Sequence, residues 1–263
     1  MLSINNFRAQ NFKDECYGVD INGIQGKCAW ISTFVGSVLP RPISFTPAEV
    51  ALPVYLPRPG ITNDYVPGLS SKRIGEKADD IWGGFRQGNT GNCVTVSAIK
   101  AAMTKFGQHP SSIFSGVQKT PEGYQVRMRD GFELMISDRE LSQAISGARF
   151  IGRDTEMLKD AHFLFAVSAK RAQMENNDGT AWRSFQAAIH SLNNGEDERR
   201  PGEALERLGL RQHMRRVSVR DLAQGQLGIC NRRGHSTAVI NGREELWGHK
   251  GSYPTHGDAV ALM

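Results

Sequence analysis

The chain has 263 residues, enough for one large domain or one domain with an extension. Hydrophobic residues make up 39%, so a sizeable core is available, and a net charge of +5, from 32 basic and 27 acidic residues, is too small to single out a partner. There is no run of 18 apolar residues, no apolar segment of a signal peptide at the start, and no Cys-x-x-Cys among four cysteines, which argues against a spanning helix, signal-dependent export, a disulfide scaffold and a structural zinc site.

Residues 1–78 read as a proline-rich leader, extended or partly disordered, and residues 79–263 as the folded domain. The stretch "SVLPRPISFTPAEVALPVYLPRPGITNDYVPG" holds seven of the eleven prolines, and proline fixes φ and removes an amide donor, so no regular helix or central strand forms there. Cys16 and Cys28 fall in this part and read as free thiols rather than a bridge. From Ile81 the pattern becomes globular. Val94, Ile99, Ala102, Met103 and Phe106 predict a helix over 93–106, ended by Gly107. "YQVRMRDGFELMIS" alternates around Asp130-Gly131 and predicts a hairpin with a tight turn. Helices are expected over 138–148, 155–175 and 179–195, with a short one in "PGEALERLGL". In "RLGLRQHMRRVSVR", Arg207, Arg211 and Arg215 are four apart and would share one helical face. Without aromatics for base stacking, that face reads as solvated and paired with Glu203 and Glu206, not as a nucleic-acid surface. The last stretch, "GHSTAVINGREELWGHKGSYPTHGDAVALM", reads as strands, with Asn241-Gly242 as a tight turn. Helices before strands argue for an α+β domain.

The chemistry centres on "QGNTGNC", residues 87–93. A thiol is a useful nucleophile only as thiolate, and the start of a helix favours the anion through free amides and the backbone dipole. Cys93 sits at that place. Its own amide and the side-chain amide of Gln87 are candidate oxyanion donors, with Gly88 and Gly91 letting the loop fold back. "GHSTAVI" supplies His235 as a base. A lone cysteine at a helix start is more often a small buried residue, but the glutamine, glycines and histidine taken together weigh against that here.

These segments carry a resemblance. "QGNTGNC" looks like the nucleophile loop of papain-like (clan CA) cysteine peptidases, closest to the calpain branch, and "GHSTAVING" is similar to that family's histidine strand. "GYQVRMRDGFELMISDREL" resembles the calpain hairpin and the Asp-x-x-Leu after it. The likeness runs from about Ile81 to Gly248. It implies a papain-like fold, with a helical subdomain carrying the nucleophile against a C-terminal antiparallel sheet. It implies Cys93 as nucleophile, His235 as base and acid and Gln87 as oxyanion donor, with a protein or peptide as substrate and no cofactor or metal. The chain departs from the family in Val94, where an aromatic is usual, and in having no acidic calcium-binding segments. The third member of the triad stays open. "LWG" at 246–248 echoes the family's Asn-x-Trp-Gly and would put Glu245 in the role, but a two-residue turn at 241–242 places His235 opposite about Gly248. His249 lies near that place, and Asp258, a carboxylate on the following segment, is the preferred candidate.

Two other readings use the same residues. A transglutaminase, deamidase or acyltransferase would start from the same thioester, and an inert papain-like module would only bind a partner. The leader would serve as a pro-segment over the cleft or as an export or partner signal. A papain-like domain alone, with a polar start, suits a secreted bacterial effector with a role in virulence, exported by a needle-type (type III-like) route, or else a cytoplasmic enzyme.

Overall fold

The computed structural model describes residues 65–195 and 200–263. The proline-rich segment up to residue 64, with Cys16, Cys28 and the expected leader, lies outside the described residues. The architecture is α+β with antiparallel sheets.

The central element is α1, Cys93–Phe106, which begins and ends where the sequence periodicity sets it. Every residue from Cys93 to Met103 is buried, so the helix is covered on all sides and belongs inside the molecule. After the short α2, Pro110–Ile113, three strands form a small sheet: β1, Gly116–Thr120, β2, Gly123–Arg127, and β3, Glu133–Ser137. Tyr124, Val126, Leu134 and Ile136 alternate inward from β2 and β3. The expected two-residue turn at Asp130-Gly131 is a longer one. Pairing stops at Arg127 and Glu133, and Met128 N donates to Phe132 O at 2.8 Å. Only Gly131 is left-handed, at φ 84°. Asp130 has another task, since Arg171 Nη1 donates to its carboxylate at 2.6 Å.

Two helices follow, α3, Asp138–Ala148, and α4, Thr155–Met174, close to the expected bounds. Ser137 and Glu140 form a capping box on α3, which explains its sharp start. The helix expected over 179–195 shrinks to α5, Phe185–Ser191. Ser184, at φ −169° and ψ 163°, breaks the run and accepts from Ala187 N, so it caps a new helix instead of continuing an old one. The basic stripe is also not a single helix. Arg207 ends α6, Glu203–Arg207, with Gly209 left-handed behind it, Arg211 lies in a 3-10 turn, and Arg215 lies in β4, Met214–Val217.

The second sheet holds β4 and, after the short α7 at Val219–Ala223, β5, Gly228–Arg232, β6, His235–Ile240, β7, Arg243–Leu246, β8, His249–Lys250, and β9, Asp258–Leu262. Their order is β4-β9-β5-β6-β7-β8. Asn241 and Gly242, at φ 50° and 78°, form the expected tight turn between β6 and β7. α1 packs on the face of this sheet that carries Ile229, Val260 and Leu262, while Leu222 of α7 joins Cys230, Val239, Ala259 and Ala261 on the other.

Residues 65–78, which composition assigned to the leader, pack on the domain. Val66 and Leu69 are buried in the main core, Tyr124 Oη donates to Pro67 O at 2.7 Å, and Ser70 N donates to Asp160 Oδ1 at 3.0 Å. The fold therefore starts before residue 79. Pro67 misleads a composition reading here because the segment is held by side chains reaching its backbone, not by its own ladder.

Asp160 ties this segment to α4 and titrates abnormally. Burial raises its carboxyl to about 6, against the Ser70 and Gln108 hydrogen bonds that favour the anion, with Glu156 adding to the rise. An acid whose folded pKa lies above its unfolded value favours folding most below about pH 4, and that contribution is lost as pH rises towards 6. At about 1.4 kcal/mol per unit the difference is about 3 kcal/mol. Gln108 Nε2 donates to Asp160 Oδ2 at 3.1 Å, and among the described residues the buried Gln108 Oε1 has no partner, so a flipped Gln108 amide would accept from an asparagine. Asp160→Asn is expected to flatten the stability slope between pH 4 and 6 and to match or exceed the parent at pH 8. Urea unfolding across pH checks it, and an unchanged slope would count against this assignment.

Candidate active site

The loop 86–92 is held to two other segments by its backbone. Arg86 and Ile151 exchange both amide bonds, at 2.7 and 3.0 Å, and Gly91 bonds with Asn193 O and Gly195 N at 3.1 Å each. Gly88 and Gly91 serve close approach. A Cβ on Gly88 would lie 1.9 Å from Arg149 O, and one on Gly91 would lie 2.3 Å from Gly195 N. Neither glycine is left-handed, so the need is space and not turn conformation. The loop ends at Asn92, whose side chain is drawn away from the helix, with Nδ2 donating to Ala148 O at 2.9 Å and Asn193 Oδ1 at 3.0 Å. Asn92 therefore gives α1 no side-chain cap, and its first turn holds no acidic residue, so the positive end of the helix dipole falls at Cys93.

Two anchors set how α1 lies on the sheet. Ser97 Oγ and Ser236 Oγ are 2.8 Å apart. One turn further, Lys100 Nζ is 3.2 Å from Glu245 Oε1. By continuation of the ladder Val239–Glu244 and Ile240–Arg243, Glu245 stands beside Ala238. Moving from residue 97 to 100 along the helix therefore follows the strand from 236 towards 238. The two elements run in the same sense, and their first residues, Cys93 and His235, share an end. Cys93 is one helical turn, about 6 Å of rise, before the Ser97 anchor, and His235 is one residue, about 3.3 Å, before Ser236. Cys93 is 8% exposed, at the edge of the interior.

His235 is framed by β5 and the β7–β8 turn. The Trp247 indole stacks on its ring, with centroids 5.3 Å apart and planes at 11°. Nε2 of His235 is buried and, among the described residues, has no hydrogen-bond partner. Burial lowers the imidazole pKa below its usual value, Arg232 lowers it further, and Glu245 opposes them. The shift favours the neutral ring, the form that accepts a proton. Two ion pairs flank it. Glu244 pairs with Arg232 and accepts from Thr237 Oγ1 on one face of the sheet, while Glu245 pairs with Lys100 on the other, as the alternation of a strand requires.

Of the expected site residues, Gln87 lies in the pinned loop, and its Nε2 donates to Thr90 O, which orients the amide within the loop and leaves a second N–H to give. Asp258 is not brought to His235. β5 stands between β9 and β6, Asp258 pairs with Asn231, and its carboxylate, 68% exposed, faces Arg216 on the outer strand at 3.8 Å. An exposed pair of this kind contributes about 0–1 kcal/mol, so Asp258→Asn is expected to leave turnover within about twofold, measured as kcat/KM. His249 is exposed on the sheet edge opposite Leu246, and the ring face of His235 is taken by Trp247. Glu245 comes nearest to the role but is committed to Lys100 and to Gly248 N, at 2.6 Å. The register that set Gly248 opposite His235 does bring the Trp247-Gly248 turn there. Sequence reasoning missed Ser97, Lys100 and the Trp247 stack. The signal was available in the spacing 93, 97, 100, one helical stripe in which a lysine interrupts buried positions. Comparison with protein-family models, with curated proteins and with solved structures returns no match.

Proposed function

We propose that the domain is a papain-like thiol hydrolase that cleaves peptide bonds in a protein or peptide substrate. The observation that carries this reading is the Ser97–Ser236 and Lys100–Glu245 pair of anchors, from which we infer that the helix start bearing Cys93 lies at the same end as the half-buried His235, whose pKa burial lowers. His235 takes the Cys93 proton, and the sulfur forms a bond to the carbonyl carbon as its π electrons move onto oxygen. The Cys93 amide and the free N–H of Gln87 hold that oxyanion. Collapse breaks the C–N bond, His235 gives its proton to the leaving amine, and a thioester remains. His235 then takes a proton from water, the resulting hydroxide attacks the thioester, and the acid is released as sulfur leaves.

Removing an oxyanion donor typically lowers kcat about 100- to 1000-fold. Gln87→Ala is expected to fall in that range with KM little changed, measured on a peptide substrate. The test of the reading itself is iodoacetamide labelling mapped by mass spectrometry. Cys93 is expected to react at least about tenfold faster than Cys230, whose thiol is buried and pushed up in pKa. Equal rates would mean that the thiol is not activated and that the domain only binds. Product masses distinguish the acceptor, since water gives two fragments or a deamidated side chain, and an amine gives a cross-link.

A further inference from the structure

A cavity of about 520 Å³ adjoins His235 through one side chain. Trp247, which stacks on the His235 ring, is also 52% exposed and lines this cavity. Arg86, at the foot of the nucleophile loop, forms a second wall, and its stem lies against Gly248, where an added Cβ would meet Arg86 Cδ at 3.0 Å. Ile151 and Arg153 form a third wall, joined to the first by the backbone bridge between Arg86 and Ile151.

The charges are unbalanced. Arg86 Nη1 donates only to Gln87 O, at 3.2 Å, and neither Arg86 nor Arg153 has a carboxylate partner among the described residues. Asp80, the one acid among the described lining residues, is turned onto its own loop, accepting from Trp82 N at 3.1 Å and Gly83 N at 2.9 Å. Two guanidinium groups and an indole face around a cavity suit a carboxylate on an apolar stem, because the planar forks take both oxygens and the indole covers the methylenes.

We propose that this cavity is a subsite for an acidic side chain, glutamate or aspartate, on the leaving side of the cleaved bond. The proposal rests on reading Cys93 and His235 as nucleophile and base. A general acid must touch the leaving nitrogen, so the residues released first lie on the His235 side, and the cavity beside Trp247 is the space next to them. Arg86 and Arg153 then select substrate by charge.

Two measurements test this and separate it from the reading beneath it. In the Cys93→Ala chain, peptides with glutamate at the first or second leaving-side position are expected to bind about fivefold to tenfold more tightly than glutamine peptides, by calorimetry at low salt. Arg86→Glu/Arg153→Glu is expected to invert the order in favour of lysine peptides. In the parent chain, kcat/KM is expected to follow the same order. Acidic peptides that bind the alanine variant in this order without being cleaved by the parent would keep the subsite and overturn the hydrolase. Cleavage with no difference between glutamate, glutamine and lysine, or a preference unmoved by the charge reversal, would overturn the subsite.

Discussion

Cys93→Ala is expected to abolish peptide-bond cleavage, with kcat lower by about 10,000-fold or more, and His235→Ala is expected to fall nearly as far. The magnitude follows from how little each element supplies alone. A helix start stabilises a partly buried anion by up to about 2 kcal/mol, or roughly 1.5 pKa units. That is enough for slow alkylation but gives no proton to the leaving amine. His235 supplies both the further activation and that proton. The two residues therefore act as a unit, and the double variant is expected to be no slower than the worse single one. Single-turnover assays on the three variants check this, with circular dichroism melts to show that each is folded. The alkylation rate of Cys93 in His235→Ala is expected to need higher pH than in the parent. Additive losses, or residual cleavage in Cys93→Ala, would place the chemistry elsewhere.

The parts of the fold read correctly from sequence are those set by local rules. α1 was legible because its apolar spacing, its glycine stop and its buried length agree. The Asn241-Gly242 turn was legible because two left-handed positions leave few residue choices. β1 was not, since "GVQKT" carries no alternation and takes its place from its antiparallel partner β2 and from the packing of Val117 on the core. Asp258 failed for a related reason. Which strands neighbour β9 is a matter of topology, and the sheet order sends its carboxylate towards Arg216, with β5 between it and His235. The two motifs did not show how α1 lies on the sheet, because the anchors that fix it, Ser97 with Ser236 and Lys100 with Glu245, join residues 139 and 145 positions apart in the chain. No local pattern reports a contact at that separation.

Those anchors lead to the second large effect. Lys100→Met is expected to destabilise the domain by about 3–5 kcal/mol, because it leaves Glu245 charged and buried without its cation. For a folded unit of this size that lowers Tm by roughly 10 °C. Lys100 is fully buried, and its Nζ also donates to Ile81 O at 3.0 Å and Trp82 O at 2.7 Å. Burial pushes the Lys100 ammonium below its usual pKa, and Glu245 opposes that push, so the pair is held by mutual need and not by surplus attraction. Lys100→Met/Glu245→Met is therefore expected to regain most of the lost stability, since two methionines fill the space without a stranded charge. Turnover is not expected to return with it. Glu245 accepts from Gly248 N, and that bond holds the turn that lays Trp247 on His235. Without it the indole loses its fixed place over the imidazole, the ring orientation is no longer held, and kcat falls while Tm recovers. Thermal melts paired with kcat on the single and double variants separate the two effects. A double variant as unstable as Lys100→Met would show that the partners are not matched, and one that is stable and fully active would show that the turn is held by something other than Glu245.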